Sequence, residues 1–127
     1  MTRASAKPGR DICERTFRFA VSIAKLCRQI ETRNGTCRVL ARQLLRAATS
    51  IGANVEEAQA AQSRADFINK NSIALKEARE TNYWLRLIVA SAEVPAEALA
   101  AYLQESGELM RIIGAIVVSA HKAAQKR

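Results

Sequence analysis

Residues 36–58, TCRVLARQLLRAATSIGANVEEA, decide the fold. Cys37, Leu40, Leu44, Ala47, Ile51, Val55 and Ala58 recur there at spacings of three and four, which places them on one side of a long helix. Arg38, Arg42 and Arg46 follow one another every four residues on the opposite side. The stretch therefore carries an apolar stripe that other helices must cover and a basic stripe that belongs in no core.

Upstream, Asn34-Gly35 is a turn signal. Before it, Ile12, Thr16, Phe19, Ala20, Ile23, Cys27 and Ile30 mark the buried side of a first helix over about Asp11 to Glu31. Downstream, neither glycine nor proline separates helix two, reaching about Gln62, from helix three. Ser63 is the candidate N-cap, because Asp66 three residues later suits the positive helix end and the apolar Phe67 follows. Helix three runs to about Ala92. Val94-Pro95 breaks the pattern, with Pro95 suited to the first turn of the next helix. Helix four carries Leu99, Tyr102, Leu103, Met110, Ile113, Val117 and Ala120 into a basic tail.

The expected fold is all-α: an antiparallel up-down-up-down four-helix bundle over residues 11–125, behind a flexible basic segment over residues 1–10. Gly107 and Gly114 fall inside helix four, where each costs up to about 1 kcal/mol relative to alanine. Close approach of a neighbouring helix is the expected reason.

Composition agrees with this reading. The 127 residues are 49% hydrophobic and 25% charged, enough for one domain with a real core. Five glycines and two prolines are too few for the frequent turns of a β-sandwich. The basic N-terminus lacks the apolar stretch of a secretory signal, and no run of about 18 apolar residues exists for a membrane span. Cys13, Cys27 and Cys37 are odd in number and form no CxxC pair, which predicts buried thiols in a reducing cytoplasm rather than disulfides or zinc.

The formal net charge is +8. Residues 1–62 hold 11 Lys/Arg against 5 Asp/Glu, whereas residues 63–127 hold 9 against 7. That imbalance points to an acidic partner for the first half: RNA, DNA or an acidic protein face. The arginine ladder of helix two sets like charges one turn apart, which costs a few tenths of a kcal/mol per pair, roughly, and which an anionic partner relieves. On helix one, Arg15, Arg18 and Lys25 face away from the apolar stripe, with Arg28 and Arg33 nearby. Guanidinium forks suit phosphate. The candidate nucleic-acid-binding residues are thus Arg15, Arg18, Lys25, Arg28, Arg38, Arg42 and Arg46. A solvated basic face with no specific partner is the plainer alternative. Few aromatics accompany these charges, which gives single-strand base stacking little support.

Helix three reads as apolar on two sides. Phe67, Ala74, Leu75, Ala78, Leu85 and Val89 form one stripe; Ile73, Trp84, Leu87 and Ile88 cluster on roughly the opposite side, beside Glu80. The second cluster is the candidate oligomer interface; the alternative is a bundle broad enough to cover Trp84 internally. Asn71 and Asn82 fall within the core stripe and are expected to hydrogen-bond across helices.

Catalytic and metal-binding patterns are missing. His121 is the single histidine, and no glycine-rich phosphate loop occurs. Glu56 and Glu57 are adjacent and point about 100° apart on a helix, and Lys76–Glu80 has the spacing of a surface ion pair. The expectation is no enzyme, no cofactor and no metal.

The run from Gln43 to Ala58, together with Asp66-Phe67, Ser72 to Thr81 and Tyr83-Trp84-Leu85, resembles the signature of the bacterial four-helix bundle family named after the 23S rRNA intervening sequence. The resemblance covers about half the chain continuously and the rest in helix pattern. It implies a four-helix subunit that assembles into a ring-like homopentamer, and it supplies no catalytic residues. Asn54, Glu57, Lys76, Glu77 and Glu80 are the matching polar positions. The accessory variability proteins of diversity-generating retroelements, which bind a reverse transcriptase and nucleic acid, are similar in fold and basicity. The function expected is a non-enzymatic homo-oligomer that displays its arginine stripes to RNA or DNA, or to a ribonucleoprotein. The alternative is an adaptor docking an acidic protein surface, such as that of a reverse transcriptase.

Overall fold

The computed structural model describes residues 8–91 and 94–126, and among them it has four helices and no strand. They are α1 (Pro8–Ile30), α2 (Gly35–Gln59), α3 (Arg64–Ser91) and α4 (Ala96–Gln125). Most of the expected flexible N-terminal segment, residues 1–7, lies outside the described residues, as do Ala92 and Glu93. Helix α1 begins three residues before the expected start at Asp11, at Pro8, a residue whose missing N–H costs nothing in a first helical turn.

Side chains set the other boundaries. Asn34 does more than turn the chain: with extended backbone, its Oδ1 accepts from the Cys37 N–H at 2.8 Å and caps α2. Helix α2 stops at Gln59, earlier than expected, and Ser63 then caps α3 as the sequence predicts, accepting from the Asp66 N–H at 3.0 Å. Pro95 stands at the N-cap of α4, one position outside the first turn.

Helix α1 packs on α2, α2 on α3 and α3 on α4, while α1 and α4 meet at few points. The register of the first pair is fixed at two levels. Cys27 Sγ lies 3.3 Å from the Ala41 carbonyl, and Gly52 lies against Thr16, so the helices are antiparallel. A Cβ on Gly52 would sit 3.4–3.5 Å from Thr16, so the α1 backbone packs directly against this glycine. Gly107 and Gly114 are different from expectation: a Cβ on Gly114 meets nothing within 4 Å, and one on Gly107 meets only the Arg111 guanidinium at 4.0 Å. They line an open groove with Leu75, Arg79 and Asn82 of α3 rather than a close helix contact.

The core is built from Ile23, Leu44, Ile51, Val55, Leu85, Ile88, Leu99, Leu109 and Ile113, all fully buried. Alanines 41, 47 and 48 of α2 and 74 and 78 of α3 are buried with them. The Asn82 Nδ2 donates to Ser106 Oγ at 2.9 Å, tying α3 to α4 as expected. Asn71 does not bridge helices: its Nδ2 donates to the Phe67 carbonyl in its own helix, and its buried Oδ1 has no partner among the described residues.

Candidate nucleic-acid interface

The antiparallel α1–α2 hairpin separates its charges by level. Between Arg18 and Arg46 the sequence holds seven cations (Arg18, Lys25, Arg28, Arg33, Arg38, Arg42 and Arg46) and one acid, Glu31. Asp11, Glu14, Glu56 and Glu57 all fall at the other end of the hairpin. The short α1–α2 connection therefore marks a basic pole, set by chain reversal between two helices that are each basic near it.

The seven predicted contact residues are not equivalent. Arg15 forms a two-pronged pair with Glu105 of α4, Nε to Oε2 at 2.7 Å and Nη2 to Oε1 at 2.8 Å. That hydrogen-bonded pairing raises its pKa, against a smaller opposing effect of burial. Arg46 is also engaged: it pairs with Glu80 and lies 3.5 Å from Glu77, both on α3, and donates to Gln43. Arg18, Lys25, Arg28, Arg38 and Arg42 are exposed and make no ion pair among the described residues. Two of the seven thus complete the bundle and five face outward unneutralised.

The acid partners were hard to foresee. Glu80 has the spacing to pair with Lys76 along α3, yet its carboxylate reaches across to Arg46 and also accepts from the Trp84 indole N–H at 3.2 Å. Glu77, nearly buried, sits beside it. Nothing in local spacing selects Arg46; the packing of α2 on α3 does.

The predicted oligomer cluster is divided as well. Ile88 is fully buried in the subunit core and is not a surface residue; Ile73, Trp84 and Leu87 are half-buried, and Trp84 packs against the core. The cause is the position of α3 between α2 and α4, which widens its buried arc: Ile88, Glu77 and Trp84 lie toward α2, and Leu75 and Asn82 lie toward α4. An apolar face without a partner lies instead on α4. Ile112, Ala115, Ile116, Ser119 and Ala123, with Phe67 and Arg64 of α3, line an open groove of about 880 Å³.

No thiol chemistry is advertised. Cys27 and Cys37 are buried, and burial, with a smaller effect from the Glu31 charge, pushes the Cys27 thiol up to about 11. Burial followed by the Glu56 charge raises that of Cys13. No group of His, Cys, Asp and Glu suited to a metal occurs among the described residues, and no helix there is long and apolar enough to cross a membrane.

A family model described as the 23S rRNA-intervening sequence protein matches residues 10–115. Among solved structures, a protein of unknown function from the S23 ribosomal protein family of Bacteroides thetaiotaomicron is similar, with 39% identity and a TM-score of 0.80. That likeness covers 86% of this chain and 96% of the other. No curated protein matches the chain.

Proposed function

The chain belongs to the 23S rRNA-intervening sequence protein family, and from that premise we propose that it is a non-enzymatic, self-associating bundle that binds the phosphate backbone of RNA or DNA. One observation carries the reading: Arg18, Lys25, Arg28, Arg38 and Arg42 project from the α1–α2 hairpin without a carboxylate of their own among the described residues. Folding gains nothing from five such charges, and phosphate oxygens neutralise them. Helical cations of this kind grip the backbone and leave the bases unread, so binding tolerates sequence and weakens with salt.

Self-association belongs to the same reading. Ile73, Trp84 and Leu87 on α3 and the open groove on α4 offer apolar surface to other copies. A closed ring, of five copies by family resemblance, would repeat the basic pole around its rim. Light scattering at micromolar concentration tests this part, and a monomer there overturns it.

Electrophoretic shift of a labelled RNA hairpin and a DNA duplex tests the first part. Arg38→Glu/Arg42→Glu is expected to weaken binding by about tenfold or more, while Arg15→Gln, already neutralised by Glu105, changes it by less than about twofold. Equal effects of the two variants overturn the proposal. Stoichiometric recovery of one acidic protein after nuclease treatment would favour the adaptor reading.

A further inference from the structure

The outer face of the α1–α2 hairpin is patterned along its length in a way that phosphate binding does not use. On α2, Arg38 and Glu56 are eighteen residues apart, or five turns, so they stand on one line about 27 Å apart. Both are exposed, and neither is in an ion pair among the described residues. On α1, Phe17 and Arg28 are eleven residues apart, about three turns and about 16 Å, again on one line. Phe17 is 63% exposed, and Val21, one turn on, is 39% exposed. Between the two lines lies a notch of about 310 Å³ lined by Phe17, Ala20, Thr49, Gly52, Ala53 and Glu56.

The two lines share a centre. The Cys27–Ala41 and Thr16–Gly52 contacts set residue 47, midway between Arg38 and Glu56, opposite residue 21. The middle of the Phe17–Arg28 line falls one to two residues from there.

We propose that this face docks on a second copy of itself about a two-fold axis crossing the hairpin at the level of residues 22 and 47. The rotation lays α1 on the second copy's α1 and α2 on its α2, head to tail. Glu56 of each copy then stands over Arg38 of the other, and Phe17 over the other's Arg28. One symmetry operation thus creates two ion pairs and two cation–π contacts. The second copy's Arg42 lays its aliphatic stem across the notch. A head-to-head arrangement would set the basic pole of one copy on that of the other, Arg38 near Arg28, so charge selects the direction. Arg18 and Lys25 stand roughly 80° further round α1 and remain outside the pairing. A polyanion lying along the same strip would meet Glu56, which is why a second copy fits it better. Because Arg28 and Arg38 also serve the phosphate-binding reading, pairing and nucleic acid compete; the pairing itself does not depend on that reading.

The test is sedimentation of the nuclease-treated full chain at about 50 mM and about 500 mM salt, a range across which screening of exposed charges becomes strong. Particle mass should at least double with concentration at the lower salt, and the doubling should fade at the higher. Arg38→Glu or Glu56→Arg alone should weaken the doubling by about tenfold or more, and the double variant Arg38→Glu/Glu56→Arg should restore it to within about threefold. No doubling in the wild type, single variants without effect, or a double variant as weak as the singles overturns the proposal. None of these outcomes bears on phosphate binding, which is measured separately.

Discussion

Asn71 shows how far a single residue can be read from sequence. Its place in the apolar stripe of α3 predicts burial, and it is buried. Its partner is not predictable, because a short amide one turn from Phe67 finds a carbonyl in its own helix before it reaches another. The Oδ1 is left without a donor. A buried acceptor of that kind costs roughly 1–3 kcal/mol. Asn71→Leu should therefore raise stability by about 1 kcal/mol in urea unfolding; a loss of stability would mean that Oδ1 has a partner in the assembled protein. Cys27 gives a pH test. Its thiol rises from 9.0 to about 11 on folding, so the folded chain holds the proton more tightly. The resulting stabilisation is complete below pH 9 and lost as pH climbs toward 11. Stability measured as wild type minus Cys27→Ala should accordingly fall by about 2 kcal/mol across that window, and a flat difference would contradict the assignment.

Among the elements, α1 and α2 were legible because each buries one face, so spacing alone separates core from surface. Of the predicted stripe, Ile12, Thr16, Phe19, Ile23, Cys27 and Ile30 are buried as the period requires, and Ala20 is partly buried. Helix α3 was not legible in this way. It is wedged between α2 and α4, and a helix buried along a broad arc has no sharp apolar stripe from which to read a free face. That is why Ile88 reads as surface and lies in the core. Glycines 107 and 114 mislead similarly, since a helix-weakening residue signals something special without saying whether it is contact or open space. The α2–α3 link through Arg46 makes its own prediction. Removing the guanidinium leaves Glu77, with 11% of its side chain accessible, and Glu80 without their counter-charge. Half-exposure of Arg46 screens the pair, so Arg46→Gln should cost about 1 kcal/mol rather than the several expected of a fully buried pair. Thermal unfolding measures it, and an unchanged midpoint would show that the link carries no stability.

For the molecule as a whole, charge is the property that sequence conveyed and structure refined. The excess in the first 62 residues was visible by counting. Which cations were available was not, because Arg15 and Arg46 are neutralised by acids 90 and 31–34 residues away. Chain reversal then gathers four of the remaining five, Lys25, Arg28, Arg38 and Arg42, toward one pole of the hairpin and leaves Arg18 nearer the other, with Glu56 and Glu57. The central claim is that these outward cations, lacking carboxylates of their own, hold phosphate. It is tested most directly by the salt dependence of DNA-duplex binding, comparing wild type with Arg28→Ala/Arg38→Ala/Arg42→Ala. The slope of log affinity against log salt should become shallower by about 0.9 for each phosphate contact removed, close to three in all. A triple variant with the wild-type slope would contradict the account.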